Sequence, residues 1–354
     1  MSTFIQLHLL TSYPPSNLNR DDLGRPKTAM MGGKTRLRVS SQSLKRAWRT
    51  SDLFETALAD HIGRRTKRQG VELYKRLCEK GVADSKAKEF AKEMVAFFGA
   101  TEGAEKDKPL KELESSQLVH FNQAEIAALE KLADRVASEG KLDKDELKKL
   151  VAKRHDVDIS MFGRMLTGKE VVKVTDDPEA AVQVSHAITV HEVAVEDDYF
   201  TAVDDLNTGD DDLGAAHIGE TEFGAGVFYN YICINRDLLT DNLGDDKELA
   251  DKALKALVEA AAKVSPTGKQ NSFASRARTS YLLAEKGTDQ PRSLSVAFLK
   301  PVRGEDILAL SIKELEKRRE NFDKVYGPCA DSFKIMNAET GEGSLDEIKK
   351  FITE

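Results

Sequence analysis

The chain has 354 residues, of which 40% are hydrophobic and 32% are charged, and its formal net charge at pH 7 is −7. This length predicts two domains, or one domain with large insertions. The negative total argues against a protein that is basic throughout, so any nucleic-acid-binding function must come from a local cluster of basic residues.

The three cysteines, Cys78, Cys233 and Cys329, are far apart and form no Cys-x-x-Cys pair. This spacing argues against a structural zinc site and a disulfide framework, and it is typical of a reducing cytoplasm. The first ten residues, MSTFIQLHLL, lack the basic start of a signal peptide. No apolar run approaches the roughly 20 residues of a membrane helix. We therefore expect a cytoplasmic protein with no membrane association.

The N-terminus alternates between apolar and polar residues, the pattern of a β-strand. Ile5, Leu7 and Leu9 are expected to face a core, and Gln6 and His8 to face outward.

A loop rich in Pro, Asn and Gly is expected over residues 13–33, followed by a strand at 35–39, TRLRV, with Arg36 and Arg38 on one face. The serines at 40–43 are good helix N-caps. A helix beginning near Ser41 has an apolar side and a basic side. The apolar side contains Leu44, Ala47 and Trp48, and the basic side contains Lys45, Arg46 and Arg49.

Residues 60–165 are helical in character, with apolar residues at helical spacing, and they predict an insertion of about a hundred residues. Strand patterns return at 180–195 and 226–239. Between them, residues 196–224 contain ten acidic residues and no Lys or Arg, and too few apolar residues for a core. We expect this segment to project as an extended hairpin or loop.

The C-terminal part predicts a periodic helix at 245–264, strands at 279–286 and 293–302, a charged helix at 304–325, and a short helix near Ser344. Without the two insertions, the order is strand, helix, strand, strand, helix, strand. This is the order of the ferredoxin-like unit shared by RNA-recognition domains. The predicted fold class is therefore α+β.

Spacing argues against two catalytic signatures, a nucleotide-binding P-loop and a metal-dependent hydrolase site. A P-loop ending in Gly33-Lys34-Thr35 needs glycine at position 28, where this chain has Thr28. A P-loop also leads into a helix, whereas this chain continues into a predicted strand.

The metal site would need two histidines on one face. His186 and His191 are five residues apart on a predicted strand, so their side chains leave on opposite faces. A satisfied or exposed histidine is the simpler interpretation of each.

The basic stretch at 20–49 is the strongest functional signal, although a solvated basic surface is the simple alternative. It holds nine basic residues against only Asp21 and Asp22. A serine turn joins a basic strand face to a basic helix face, and its hydroxyls and the helix amides suit phosphate oxygens. The stretch therefore favours a track for an RNA backbone.

Six segments carry a family resemblance. They are NLNRDD (17–22), GGKTRLRVSSQSLKRAWR (32–49), GRM (163–165), SHAITVHEV (185–193), YFTAVDDL (199–206) and TEFGAGVFY (221–229). In this order they closely resemble the backbone subunit of the type I-E CRISPR surveillance complex, Cascade. The similarity covers most of the chain and is weakest in the helical insertion and after about residue 265.

The resemblance implies a right-hand architecture with an RRM-like palm, helical fingers and a projecting thumb. The palm is assigned to residues 1–59, 181–195 and 225–354, the fingers to 60–180, and the thumb to 196–224. Copies of such a subunit polymerise along a CRISPR RNA. The thumb of one copy displaces a nucleotide at regular intervals.

The resemblance also implies the RNA-binding residues. Arg20, Lys27, Lys45 and Arg49 are expected to contact phosphates, with Ser40, Gln42 and Arg46 in support. In the GRM motif, Arg164 is expected to bind RNA and Met165 to prop a base. In the thumb, Thr201 and Val203 are expected to pack against the displaced base.

The expected partners are a CRISPR RNA, target DNA by way of this guide, further copies in head-to-tail contact, and other Cascade subunits. We expect no enzymatic activity, no cofactor and no metal. Two alternatives stay open. One is a metal-dependent RNA endonuclease of the same superfamily, for which Asp21 and Asp22 are the acidic candidates, and the other is a protein-interaction scaffold with no RNA role.

Overall fold

The computed structural model describes residues 2–150, 155–168, 170–171, 178–202 and 217–354. The chain forms two compact units. The first comprises residues 1–54, 183–235 and 254–354, and the second comprises 55–182 and 236–253. The finer boundaries of palm, fingers and thumb stay predictions.

The strands of the described residues divide between a nine-stranded sheet and a separate two-stranded pair. The bounds are Phe4–Ser16 (β1), Thr28–Met31 (β2), Lys34–Val39 (β3), Arg64–Thr66 (β4), Val119–Phe121 (β5), Val182–Val184 (β6), Ala187–Thr189 (β7), Glu196–Ala202 (β8), His217–Asn235 (β9), Thr279–Gly287 (β10) and Ser332–Asn337 (β11).

The helices lie in both units. The bounds are Ser41–Arg49 (α1), Asp52–Leu58 (α2), Gln69–Glu79 (α3), Asp84–Ala96 (α4), Gln123–Glu139 (α5), Lys144–Lys148 (α6), Val157–Phe162 (α7), Arg236–Asn242 (α8), Lys247–Lys263 (α9), Gln270–Phe273 (α10), Ile307–Tyr326 (α11) and Leu345–Phe351 (α12). Short 3₁₀ turns occur at Ala59–His61, Lys111–Leu113 and Ser295–Phe298.

The sheet of the first unit has the order β11-β10-β1-β9-β7-β3-β2, with antiparallel neighbours, and β6 and β8 also pair with β9. Its middle strands, β10-β1-β9-β7, have the order of a ferredoxin-like sheet. Helix α1 lies between β1 and β7 in the chain, and α9 lies between β9 and β10. The predicted α+β class is confirmed.

Both faces of this sheet are covered, which corrects the expectation for the first strand. Leu9 packs on the side of Leu44 and Trp48, from α1. On the opposite face, Leu10 belongs to an apolar core that includes residues of α11. Gln6 and His8 lie on that second face and are buried rather than exposed. Gln6 accepts hydrogen bonds from the amide of Arg292 and the hydroxyl of Tyr231, and His8 lies beside Glu285, which Arg319 of α11 also contacts.

Glu285 is the centre of a buried ionic cluster on the second face. Its carboxylate accepts hydrogen bonds from Arg292 at 2.6 and 3.0 Å and from Nε of Arg319 at 2.8 Å. His8 lies 3.1 Å from Glu285 through Nε2 and 2.9 Å from the Tyr229 hydroxyl through Nδ1. Burial lowers the pKa of His8. Burial acts to raise the pKa of Glu285, but the bonds from His8 and Arg292 outweigh it and lower that pKa.

The glycines that suggested a P-loop form a β-hairpin turn instead. Met31 pairs with Lys34, and Gly32 and Gly33 between them have φ of 60° and 73°. Two consecutive positive φ values are typical of a type I′ turn, which favours glycine. A Cβ on Gly32 would also lie 1.8 Å from the carbonyl oxygen of Leu299. Lys34 then begins a strand, as the sequence predicted.

The strand predicted at 293–302 is wrong. Its apolar residues Leu294, Ala297 and Phe298 are buried at helical spacing, in and beside the 3₁₀ turn, and they cover the second face of the sheet. The neighbour of β10 is β11 instead. The sequence did not predict β11 because its residues are only partly buried and do not form an apolar run.

The second unit is mostly helical, as the composition of 60–165 predicted. Helix α5 begins at a capping box formed by Asn122 and Glu125 and ends at Gly140, whose φ is 72°. Its apolar stripe is buried, and it consists of Ile126, Leu129, Leu132, Ala133 and Val136. Strands β4 and β5 form an additional antiparallel pair.

We expect the substitution Glu285→Gln to lower the free energy of unfolding of the first unit by about 3 kcal/mol, because it removes a buried carboxylate from two largely buried guanidinium groups. Asp323 then stays as their remaining acidic neighbour, 3.4 Å from Arg292 and 3.9 Å from Arg319. Urea denaturation followed by circular dichroism measures this change. The matched control is Glu320→Gln on the exposed side of α11, for which we expect a change within about 0.5 kcal/mol.

The pH dependence of this stability difference tests whether the charge of Glu285 is its cause. A carboxyl group whose pKa is lowered by folding stabilises the protein above its unfolded pKa of about 4.3, and this contribution is lost as the pH falls further. The difference between wild type and Glu285→Gln should therefore narrow below about pH 4.3. A constant difference from pH 7 to pH 3 would contradict a role for the charge of Glu285.

Candidate nucleic-acid interface

The basic helix α1 forms because of its cap and its apolar stripe. Ser40 is the N-cap, and its Oγ accepts a hydrogen bond from the amide of Ser43 at 3.3 Å. Leu44, Ala47 and Trp48 are buried against the sheet, so the opposite side of the helix faces solvent. The exposed or half-buried residues of that side are Gln42, Lys45, Arg46 and Arg49.

The loop after β1 places two more predicted contacts beside the start of α1. The carbonyl oxygen of Asn19 accepts a hydrogen bond from the amide of Lys27 at 2.8 Å, and its side-chain oxygen accepts one from the amide of Ser40 at 2.9 Å. Arg20 pairs with Pro26 across this loop. The structure therefore brings Arg20, Lys27 and Ser40 together.

Strand β3 does not present both of its arginines to solvent, which corrects the expected basic strand face. Arg36 is fully buried and donates to the carbonyl oxygens of Thr189 at 2.9 Å and Phe298 at 3.0 Å. Arg38 is half-buried, and its amide donates to the carbonyl oxygen of Lys27 at 2.8 Å. Of these two arginines, therefore, Arg38 and not Arg36 can contribute to a basic surface.

His186 joins this surface, although the sequence interpretation did not assign it a role. Its Nδ1 lies 3.3 Å from the amide of Ser41 and 3.4 Å from a guanidinium nitrogen of Arg38. Burial, Arg38 and Lys27 together lower the pKa of His186. Asn19 and His186 were missed as site residues because they meet the start of α1 only in the folded chain. Arg38 was counted in the basic stretch but not among the expected RNA contacts.

The GRM motif lies in the second unit, where its two predicted residues differ in exposure. The side chain of Arg164 is fully buried and forms a bidentate ion pair with Glu125, at 2.7 and 2.9 Å. Arg164 also donates to the carbonyl oxygen of His120 at 3.2 Å. The guanidinium group of Arg164 is therefore held by Glu125 inside the second unit, and its expected contact with RNA stays a prediction. Met165 is 72% exposed and suits contact with a base.

Strand β8 and the first part of β9 form a hairpin arm, residues 196–202 and 217–223, in which all seven residues of β8 are exposed. Thr201 lies opposite Ile218, on the same face of the arm as Tyr199. Phe200 lies on the other face, where it covers Gly219. Val203 lies outside the described residues.

The described part of the arm keeps the acidic character seen in the sequence. Asp197 lies directly opposite Glu222, and Tyr199 lies opposite Glu220. Like charges on directly paired residues destabilise a sheet. Arg25 partly offsets this charge, since its Nε lies 3.2 Å from Glu222. The arm is therefore an acidic surface with exposed apolar residues.

Within the described ranges, no group of three or more His, Cys, Asp or Glu residues is placed to hold a metal ion. In the same part of the chain, no helix is long and apolar enough to cross a membrane.

A family model for CT1975-like proteins, a family of Cas proteins, matches residues 5–351. The chain belongs to the CT1975-like family. The expected membership of a Cas backbone-subunit family is thereby confirmed.

Two solved structures are similar to this CT1975-like chain. A chain of a structure described as "CRISPR RNA-guided surveillance complex, pre-nicking" is 32% identical, with a TM-score of 0.85 and 99% of each chain covered. A chain of a "CRISPR RNA-guided surveillance complex" is 28% identical, with a TM-score of 0.73, and 97% of this chain and 93% of that chain are covered. No curated protein matches the sequence.

The cap geometry of this CT1975-like protein separates the structural role of Ser40 from the RNA contact that the sequence leads us to expect. We expect Ser40→Ala to lower the free energy of unfolding by about 1 kcal/mol, because the amide of Ser43 loses its acceptor. Ser40→Asp restores an acceptor but adds a negative charge beside Lys27 and Arg20. It should therefore keep the stability and lose RNA affinity, as measured by thermal unfolding and fluorescence anisotropy. RNA binding by Ser40→Asp as tight as that of wild type would contradict this placement.

Proposed function

We propose that this CT1975-like chain is a non-catalytic RNA-binding subunit of a CRISPR RNA-guided surveillance complex. The described residues carry this proposal through one observation, the basic surface made by α1, the loop after β1 and the end of β3. The two similar chains come from CRISPR RNA-guided surveillance complexes, which supports the same function.

The basic surface suits the backbone of a single strand rather than particular bases. Its charged groups come from the loop, the strand and the helix, and the side chains of the serine turn lie among them. The amides of Ser40, Ser41 and Ser43 donate within the protein and fix the backbone of this turn. Contacts to phosphate fix the position of a nucleic acid without reading its sequence. The subunit would then hold the guide while base pairing recognises the target DNA.

The acidic hairpin arm supports head-to-tail assembly. An arm with Asp197, Glu220 and Glu222 is a poor partner for phosphate and a good partner for the basic surface of another copy. When two different surfaces of one chain bind each other and the contact does not close, the copies form an open helix. We propose that copies polymerise along the guide in this way, with other subunits at the ends.

The type I-E assignment rests on the sequence segments that resemble that Cascade backbone, and it includes a cytoplasmic location. The endonuclease alternative gains no support from Asp21. Its Oδ1 accepts hydrogen bonds from the amides of Leu23 and Arg25, each at 2.9 Å, so this carboxylate shapes the loop.

We expect RNA to co-purify with the full-length chain, and the double substitution Lys45→Glu with Arg49→Glu to remove at least nine-tenths of it. Both residues lie on the solvent side of α1, and reversing their charge replaces attraction to phosphates by repulsion. The measurement is the ratio of absorbance at 260 nm to that at 280 nm, with nuclease digestion to confirm RNA.

The matched control is Lys313→Glu with Lys317→Glu, which makes the same change in charge at the same spacing on the exposed side of α11. It should retain the RNA. Retention by the α1 variant would contradict the proposed surface. Magnesium should leave the co-purified RNA at full length. If magnesium instead shortens the RNA bound to wild type but not the RNA bound to Asp22→Ala, the endonuclease alternative is favoured.

We also expect the length of filaments on RNA to decrease as salt increases. The arm and the basic surface attract each other through exposed charges, and salt screens such charges over about 10 Å at 0.1 M. Electron microscopy of wild-type filaments at low and high salt measures the length. Filaments of equal length at both salt concentrations would contradict an electrostatic contact between copies.

A further inference from the structure

His186 has a fixed hydrogen-bonding pattern at the edge of the basic surface. Its Nδ1 lies 3.3 Å from the backbone amide of Ser41, and this amide can only donate. The guanidinium group of Arg38, which also can only donate, lies 3.4 Å from the same Nδ1. Nδ1 must therefore accept, and the proton of the neutral ring is on Nε2.

His186 is accessible at the surface of the first unit. The residue is exposed, and it forms part of the wall of a cavity of 190 Å³ in the first unit. The cavity is also lined by Met31, Ser185, Ile188 and Ser295, among others. The nearby charged groups that act on the ring are Arg38 and Lys27, both positive. A neutral donor beside two cations is well placed for an anionic oxygen.

We propose that His186 donates its Nε2 proton to a phosphate oxygen of the bound RNA, as a neutral residue among charged ones. This inference rests on the proposed RNA-binding function and adds a contact to its site. It also assigns a role to the junction of β3 and α1, where Ser41 and Arg38 orient the ring.

The neutral state follows from the same geometry. Protonation of Nδ1 would put a second donor opposite the amide of Ser41 and the guanidinium of Arg38, and both hydrogen bonds would be lost. The lowered pKa of His186, due to burial, Arg38 and Lys27, agrees with this. A neutral contact displaces no counterion from RNA, whereas a charged contact to a single strand adds about 0.7 to the slope of log affinity against log salt.

Two substitutions separate a contact with RNA from a structural role. Gln at position 186 places an amide donor near the position of Nε2 but no acceptor near Nδ1. Asn places an acceptor near Nδ1 but no donor near Nε2. We expect His186→Gln to bind within about twofold of wild type and His186→Asn to bind about three- to tenfold more weakly, the effect of one neutral hydrogen bond. Fluorescence anisotropy with a short labelled single-stranded RNA measures both, after circular dichroism confirms the fold.

The salt dependence completes the experiment. His186→Asn should leave the salt slope unchanged, whereas Lys45→Gln should reduce it by about 0.7. Four outcomes would each overturn the inference. In the first, His186→Asn binds RNA as tightly as wild type, and in the second its salt slope is reduced. In the others, His186→Gln binds more weakly than His186→Asn, or both variants are weakened equally. If wild type itself fails to bind RNA, the proposed function fails. If wild type binds and Lys45→Gln behaves as expected, any of those four outcomes overturns only the role of His186.

Discussion

The first unit depends on one long strand, β9, which runs without interruption from His217 to Asn235. Its second part pairs with β1 and β7 at the centre of the sheet, and its first part pairs with β8 in the hairpin arm. Gly224 lies where the two parts meet, and a Cβ there would come within 2.8 Å of the side chain of Leu37. The direction in which the arm leaves the sheet is therefore set by the continuity of a core strand.

The basic surface is positioned by backbone hydrogen bonds rather than by helix packing alone. Asn19 contacts Lys27 and Ser40, and Lys27 contacts Arg38, so loop, strand and helix are held in one arrangement. Such an arrangement lets a chain with an overall charge of −7 present a local positive surface. The backbone is held in place by these hydrogen bonds, and the long basic side chains extend from it. Such side chains can reach phosphates whose positions vary, because every phosphate carries the same charge.

The spacing of apolar residues in the sequence predicted those features of the fold that are set within a single helix or strand. The apolar stripe of α1, with Leu44 and Trp48, is visible in the sequence because a helix repeats its pattern locally. The burial of His8 and Arg36 was not predictable, because it depends on α11 and on the turn near Phe298, far away in the chain. The burial of the Arg164 side chain was not predictable for the same reason, since its partner Glu125 precedes it by 39 residues. His186 contacts Ser41 and Arg38 only where β3 meets α1 in the folded chain.

The pairing of Asp197 with Glu222 has a consequence for how a filament starts. In the proposed assembly, the cationic surface of a neighbouring copy would offset the repulsion within the arm, and part of the arm's folding free energy would then come from that copy. The first contact between two subunits would have to order an arm with little support, and each later subunit would meet a surface that already exists. Growth along the RNA would therefore be cooperative, with a slow nucleation step and a preference for few long filaments over many short ones.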